Sequence, residues 1–285
     1  MPNNIKNKIV IIGEEKEVQA LVDALSTHYE SVPSTSYNGE LVYKKTGTDY
    51  TYGWLDEKTG VFTTRDDNND NVEAELTDEW EQSFEDAWTR FPDFNKIKPM
   101  PESLDIESGS LGEMGHSMVT HISQSRFLPF YEIEERFNEL SEEDQAKALQ
   151  IGKIYESNKR KYGHTTWYDW AVEHWGTKWN VYSCEKIADN EFMFETAWAG
   201  VPHMIEIIAE KYPNVRIEYK YSDEDFGANC GSYVFENGDY EGHTPENCSD
   251  EAYDIAFELR PHYKEDMEYV EGEGWKWKED VEDEE

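Results

Sequence analysis

The sequence predicts an α+β fold: a β-α-β-β-α-β sheet with a large insertion, a β-meander plus helices, after the first helix. Three observations predict it. A short β-branched run followed by an amphipathic helical stretch opens the chain. Two alternating arms flank a tight turn at "ADN", Ala188 to Asn190. A proline-initiated helical stretch at Pro202 then leads into further alternating runs.

In chain order, "NKIVIIG", Asn7 to Gly13, suits a central strand buried on both faces and stopped by its glycine. The next stretch places Val18, Leu21, Val22 and Leu25 at helical spacing, with acids in the first turn where the helix dipole favours them. The insertion is expected over residues 31–165. It opens from Gly39 to Thr64 with tyrosines, threonines and valines alternating with polar residues, a three-stranded meander. "RDDNNDNVEAE" reads as a polar loop, and "TDEWEQSFEDAWTRF" as an amphipathic helix with Trp80, Phe84 and Trp88 on one side. In "PDFNKIKPMPESL" the prolines argue against regular structure, and "ESGSLGEMGHS" reads as a Gly/Ser-rich loop. Phe130 to Tyr162 is helical, divided near Ser141, whose "SEED" has the form of a capping box.

In "WYDWAVEHWGTKWN", Trp167, Trp170, Ala171, His174 and Trp175 share one helical side. Thr166 with Asp169 resembles a capping box, and Gly176 stands where a left-handed C-terminal residue is needed. After the hairpin and the Pro202 helix, "NVRIEYKYS" and "GSYVFENGDYEG" read as strands, the second entering an Asn237-Gly238 turn. "SDEAYDIAFELR" is a last helix capped by Ser249 or Asp250. This order is that of a ferredoxin-like fold, a term for chain topology that implies neither iron nor sulfur. One elaborated domain is expected over residues 1–262, followed by an acidic, solvated tail at 263–285.

Aromatics at 14% exclude a disordered chain. With 26 basic against 63 acidic residues the net charge is −37, which argues against direct binding of nucleic acid, since such binders need clustered Lys and Arg. Acidity has two readings: solubility, or engagement of a basic partner by imitation of a phosphate backbone. Cys184, Cys230 and Cys248 are widely spaced, which suits reduced thiols in a cytoplasm. No run approaches the roughly 18 apolar residues of a membrane span, so a soluble protein without membrane partners is expected.

Signatures of catalysis are absent: there is no P-loop, no G-x-G-x-x-G behind a strand, no G-x-S-x-G and no H-E-x-x-H. His116 and His121, five apart in the expected Gly/Ser loop, do not share a helical face, so neither metal nor cofactor is expected. In "DEDFGANCG", Asp223, Glu224 and Asp225 form either a cation loop, or contact surface, or a solvated connection between strands; the alternating spacing of a calcium loop is missing. Cys230 has no activating base beside it in sequence. Asn95, Lys96 and Lys98 lie in a Pro-rich segment that either lines a pocket or straps the insertion's core. Trp167, Trp170, His174 and Trp175 form either a core wall or a stacking surface for a base or peptide, and a buried indole N–H would need a partner such as His174 or a carboxylate.

"MPN" before an "NKI"-type first strand, "FNKIKPMPESL", "WYDWAVEHWGTKWN", "FETAWAGVPHMIE" and "GANCGSYVFENG" together resemble the YubB-type, ferredoxin-like family of phage- and plasmid-encoded proteins. The resemblance spans most of the chain in the same order and is weakest over Gly39 to Arg90 and the tail. It implies a fold and a home on mobile elements in a bacterial cytoplasm, and carries no reaction across. The expectation is a non-enzymatic, acidic interaction protein that binds and inhibits a host defence or nucleic-acid-handling protein with a basic surface. The alternatives are a small-ligand or nucleotide binder using the aromatic helix and the Pro-rich strap, and an enzyme with an unrecognised site. Homo-oligomerisation is left open.

Overall fold

A computed structural model describes residues 3–36, 39–46, 49–56, 58–66 and 70–278. The Gly47 turn of the meander, residues 67–69 of the polar loop and residues 279–285 of the tail lie outside the described residues, as do the first two residues of "MPN". The chain divides into two compact units, Met1–Ser26 with Phe91–Glu285, and Thr27–Arg90.

Strand β1 (Asn4–Ile12) alternates buried and half-buried positions, and α1 (Glu15–Leu25) buries Val18, Leu21 and Leu25. The expectation that this strand is buried on both faces is corrected: Ile5, Asn7, Ile9 and Ile11 are buried, whereas Lys6, Lys8 and Val10 are only half-buried. The Lys8 ammonium, between Glu191 at 3.0 Å and Glu258 at 3.3 Å, explains the partial cover on that second face.

The unit Thr27–Arg90 is all β. Its short strands β2 (Thr27–Tyr29), β3 (Val32–Pro33) and β4 (Thr35–Ser36) precede the meander β5 (Gly39–Thr46), β6 (Asp49–Leu55) and β7 (Phe62–Arg65), which the sequence predicts. Strand β8 (Asn71–Glu73) adds to β7, within the stretch expected to be only a loop. The expected helix over 77–91 is absent: β9 (Glu81–Gln82) pairs with β5, β10 (Phe84–Glu85) with β3, and β11 (Trp88–Arg90) with β2. The three aromatics have no common apolar face to cover. Trp80 packs edge-on against Phe62 at 4.8 Å, Trp88 stacks on Tyr29 at 4.4 Å, and Phe84 is largely exposed. Pairing of this segment with three separate strands, and ring contacts to Phe62 and Tyr29, override a period of 3.6.

In the other unit, α2 (Phe94–Ile97) and a 3-10 turn at Glu102–Leu104 occupy the segment whose prolines argued against regular structure. Asp93 caps α2 by accepting from the Asn95 amide at 3.0 Å, so the prolines sit outside the short helix. Helix α3 (Ser110–Thr120) replaces the expected Gly/Ser loop. Its glycines let it approach α5 (Glu142–Tyr162) closely: a Cβ on Gly115 would lie 1.8 Å from the Ala148 carbonyl oxygen. His116 is therefore a buried helical residue, paired with Glu156 at 2.9 Å, and His121 is the left-handed residue after the helix. Between α3 and α5, α4 (Phe130–Asn138) ends before Ser141, whose hydroxyl accepts from the Asp144 amide at 3.1 Å, as the capping signature predicts.

Helix α6 (Trp167–Trp175) leads into the hairpin β12 (Tyr182–Ala188) and β13 (Glu191–Ala197), then α7 (Pro202–Lys211), β14 (Arg216–Asp223), β15 (Gly231–Glu236) and β16 (Asp239–His243). Asn237 and Gly238 both have positive φ (55° and 83°), which suits the tight turn between β15 and β16. Helix α8 (Asp250–Leu259) is capped by Ser249, which accepts from the Ala252 amide at 3.2 Å. The six strands form one antiparallel sheet in the order β12-β13-β1-β14-β15-β16. Residues 267–277 depart from the expected solvated tail. They form the hairpin β17 (Met267–Val270) and β18 (Gly274–Trp277), whose Met267 is buried and whose Trp275 packs on Phe257 of α8 at 4.7 Å. Apolar residues interspersed among the acids give that segment a face to bury.

The main core joins β1, β13 and β14 to α1, α6 and α7. Fully buried Asn7 sits inside it. Its amide donates to the Ile5 carbonyl at 2.9 Å and to Thr196 Oγ1 at 3.0 Å, and its Oδ1 accepts from the Tyr219 hydroxyl at 2.6 Å. Tyr219 in turn accepts from the Val201 amide at 2.7 Å. The side-chain polar atoms of Asn7, Thr196 and Tyr219 are all paired, so this hydrogen-bond network costs little and ties β1 to both sheet neighbours in one register. Among the described residues no helix is long and apolar enough to cross a membrane.

Candidate functional site

Helix α6 is the hub of the site. Gly176, at φ 76°, ends it as predicted. The expected capping box does not form: Thr166 is buried and makes no side-chain cap bond, and Asp169 lies in solvent. Trp170 and Trp175 are 5% and 3% exposed and wall the core, with Trp175 5.4 Å from Trp170 and 5.9 Å from Phe94. The Trp175 indole N–H finds neither His174 nor a carboxylate; it donates to the Lys98 carbonyl at 2.9 Å. His174 is half-buried, its ring parallel to Trp170 at 4.4 Å and its Nδ1 3.0 Å from the Trp170 carbonyl oxygen. Desolvation lowers its pKa, which favours the neutral imidazole. Trp167 is half-buried against Tyr168 at 5.5 Å.

The Pro-rich segment is a strap. Asn95 is exposed, but its Oδ1 accepts from the Met100 amide at 3.1 Å. Lys96 donates its ammonium to the Ser26 carbonyl, while Lys98 offers α6 its backbone oxygen. Asn180 holds the strap from the other side, donating to Asp93 at 2.7 Å and accepting from the Phe94 amide at 3.0 Å. These groups are engaged in joining segments remote in sequence.

Asp223, the last residue of β14, and Glu224 and Asp225 after it are likewise engaged. Buried Asp223 accepts from Asn3 and Asn229, both at 3.1 Å, and from the Asp225 amide at 3.0 Å. Asn3 also reaches Asp225 at 3.1 Å, and Asn4 reaches Glu224 at 3.0 Å. Amide donors here occupy carboxylate oxygens that a cation would need. Cys230 is fully buried and its thiol pKa is raised, chiefly by desolvation, which suits an inert structural thiol.

Sequence reasoning missed Lys178. Its ammonium lies 4.5 Å from the ring centre of Trp179, 5.3 Å from that of Trp198 and 5.9 Å from that of Tyr168. Tyr168 and Trp198 meet edge to face at 6.1 Å, so three rings from α6, the following loop and the turn after β13 surround one cation. Trp198 has a left-handed backbone, φ 74°, a conformation costing about 1–2 kcal/mol outside glycine. The Trp198 amide donates to the Asn3 carbonyl at 2.9 Å and its carbonyl accepts from Asn229 at 3.2 Å, which holds it there. Trp198 is 39% exposed. Such a box recognises ammonium groups through the negative faces of its rings. The only trace in sequence was a lysine beside tryptophan in "GTKWN".

Beside the box, the Tyr182 hydroxyl donates to Asn4 Oδ1 at 2.6 Å. Burial first, then the charges of Glu195 and Glu224, push its pKa from 10.0 up to about 12. The folded state holds this proton longer than the unfolded chain does, so the contribution is complete below pH 10 and is lost as pH rises through about 12. Urea midpoints measured from about pH 9 to pH 12 are expected to fall, and Tyr182→Phe to flatten that fall. A residual slope is expected from Tyr155, Tyr219 and Tyr221, whose pKa values burial also raises.

No curated protein and no solved structure matches the chain. Residues 178–267, from Lys178 in the aromatic box through α8 to the first residue of β17, match the family described as the ferredoxin-like domain in Api92-like protein, and this part of the chain is a ferredoxin-like domain.

Proposed function

We propose that the chain is a non-enzymatic, acidic interaction protein that binds a partner with a basic surface. The observation that carries this reading is the excess of 63 acidic over 26 basic residues in a folded, aromatic-rich protein. Such a surface steers cationic partners and repels nucleic acid. Exposed Trp198 supports it, because its ring offers an accessible aromatic surface to a partner's lysine or arginine.

In this reading the partner is a host defence or nucleic-acid-handling protein, inhibited in a bacterial cytoplasm by a product of a phage or other mobile element of YubB type. The sheet order β12-β13-β1-β14 supports the companion inference that β1 and α1 complete a β-α-β-β-α-β unit with the 178–267 domain, the insertion following α1.

The test is affinity capture from bacterial lysate by the full chain. Captured proteins are expected to be basic and to be lost at least about 10-fold between ~0.05 M and ~0.5 M salt, as screening removes the attraction. Trp198→Ala is expected to weaken capture without altering the far-UV spectrum. Retention that is independent of salt overturns the reading.

A further inference from the structure

We propose that His164, Glu173 and His174 form a binding site for a divalent transition-metal ion of the zinc class. One ring nitrogen from each histidine and one carboxylate oxygen of Glu173 lie within 4.8 Å of one another. His164 Nε2 and Glu173 Oε2 are already 3.2 Å apart, about the separation of neighbouring ligands around an ion with bonds near 2.1 Å. The two imidazoles meet nearly perpendicular, 82° between planes, with centres 5.5 Å apart.

Two of the three ligands are held in place before any ion arrives. The His174 ring is stacked on buried Trp170, and its Nδ1 faces the Trp170 carbonyl oxygen at 3.0 Å. The tautomer that donates this bond leaves Nε2 with its lone pair for a metal, the second-shell arrangement usual for ligating histidines. His164 follows Gly163, the left-handed residue ending α5, and its neighbour Thr165 is anchored through its carbonyl by Asn158 at 3.1 Å. Glu173, with a side chain 68% exposed, is free to close onto the ion. Two imidazoles and one carboxylate suit a borderline cation better than calcium or magnesium, which prefer oxygen ligands. Three protein ligands leave at least one coordination position for water or for a donor group of a partner.

The test uses the full chain without a polyhistidine tag, stripped with chelator and titrated with Co²⁺. One equivalent is expected to give visible d–d absorption, to be displaced by Zn²⁺ and to survive excess Mg²⁺. Zn²⁺ is expected to raise the melting temperature. His164→Ala and Glu173→Gln are each expected to weaken Co²⁺ binding at least about 10-fold and to remove the Zn²⁺ stabilisation. Glu173 is exposed, so the Gln variant keeps the fold, verified by an unchanged metal-free urea midpoint. Absence of the absorption band, its loss to Mg²⁺, or unchanged affinity in Glu173→Gln overturns the proposal and leaves an ordinary His164–Glu173 ion pair.

Discussion

Trp175→Ala is expected to lower the unfolding free energy by about 3–5 kcal/mol, the range for removing a buried tryptophan from a core. Trp175 touches Phe94 of the strap and Trp170 of its own helix, and its N–H holds the Lys98 carbonyl. The strap is tied in turn to the loop after α6 through Asn180 and to α7 through Lys211, which donates to the Ile97 carbonyl at 2.6 Å. The cavity left by alanine opens where three segments meet, so little can collapse into it. Trp175→Phe refills most of the volume but leaves the Lys98 carbonyl without its donor, and a smaller loss of about 1–2 kcal/mol is expected. Half-buried Trp167→Ala should cost under about 1 kcal/mol. Urea unfolding followed by circular dichroism ranks the three. Equal effects at positions 167 and 175 would contradict the assignment of Trp175 to the core.

That contrast bears on how the sequence encodes this molecule. Helix α6 was legible because phase, glycine stop and tryptophans agree at one location, and so was the β15–β16 hairpin, whose Asn237 and Gly238 both take the positive φ that their turn requires. The stretch 77–90 was misread because Trp80 and Trp88 sit at helical spacing yet pack on Phe62 and Tyr29, partners supplied by other strands. Helix α3 was misread because its glycines serve an approach to α5 that no local pattern announces. The candidate sites follow the same rule. Net charge is a sum over the chain and can be read directly. The box needs Tyr168, Lys178 and Trp198, brought together only by the turn after β13, and the histidine pair joins the end of α5 to the far side of α6. Residues 10 or 20 apart on different elements carry no shared period to detect.

The α3–α5 contact yields the other large expected effect, and its sign opposes helix propensity. In isolation Gly152→Ala would favour helix α5 by about 1 kcal/mol. In the folded protein the new Cβ would lie 2.2 Å from the carbonyl carbon of Gly115 and 2.5 Å from the His116 backbone nitrogen. Both obstacles are backbone, so no rotamer change relieves them and the helices must move apart. Separation loosens the packing of Tyr155 and Ala148 and stretches the His116–Glu156 pair, now 2.9 Å, which holds the Glu156 carboxyl below its usual pKa with help from Arg160. A net loss of about 3 kcal/mol is expected in the protein, against a gain in helicity in a peptide spanning residues 142–162. A stabilised protein would mean that the two helices do not meet at their glycines.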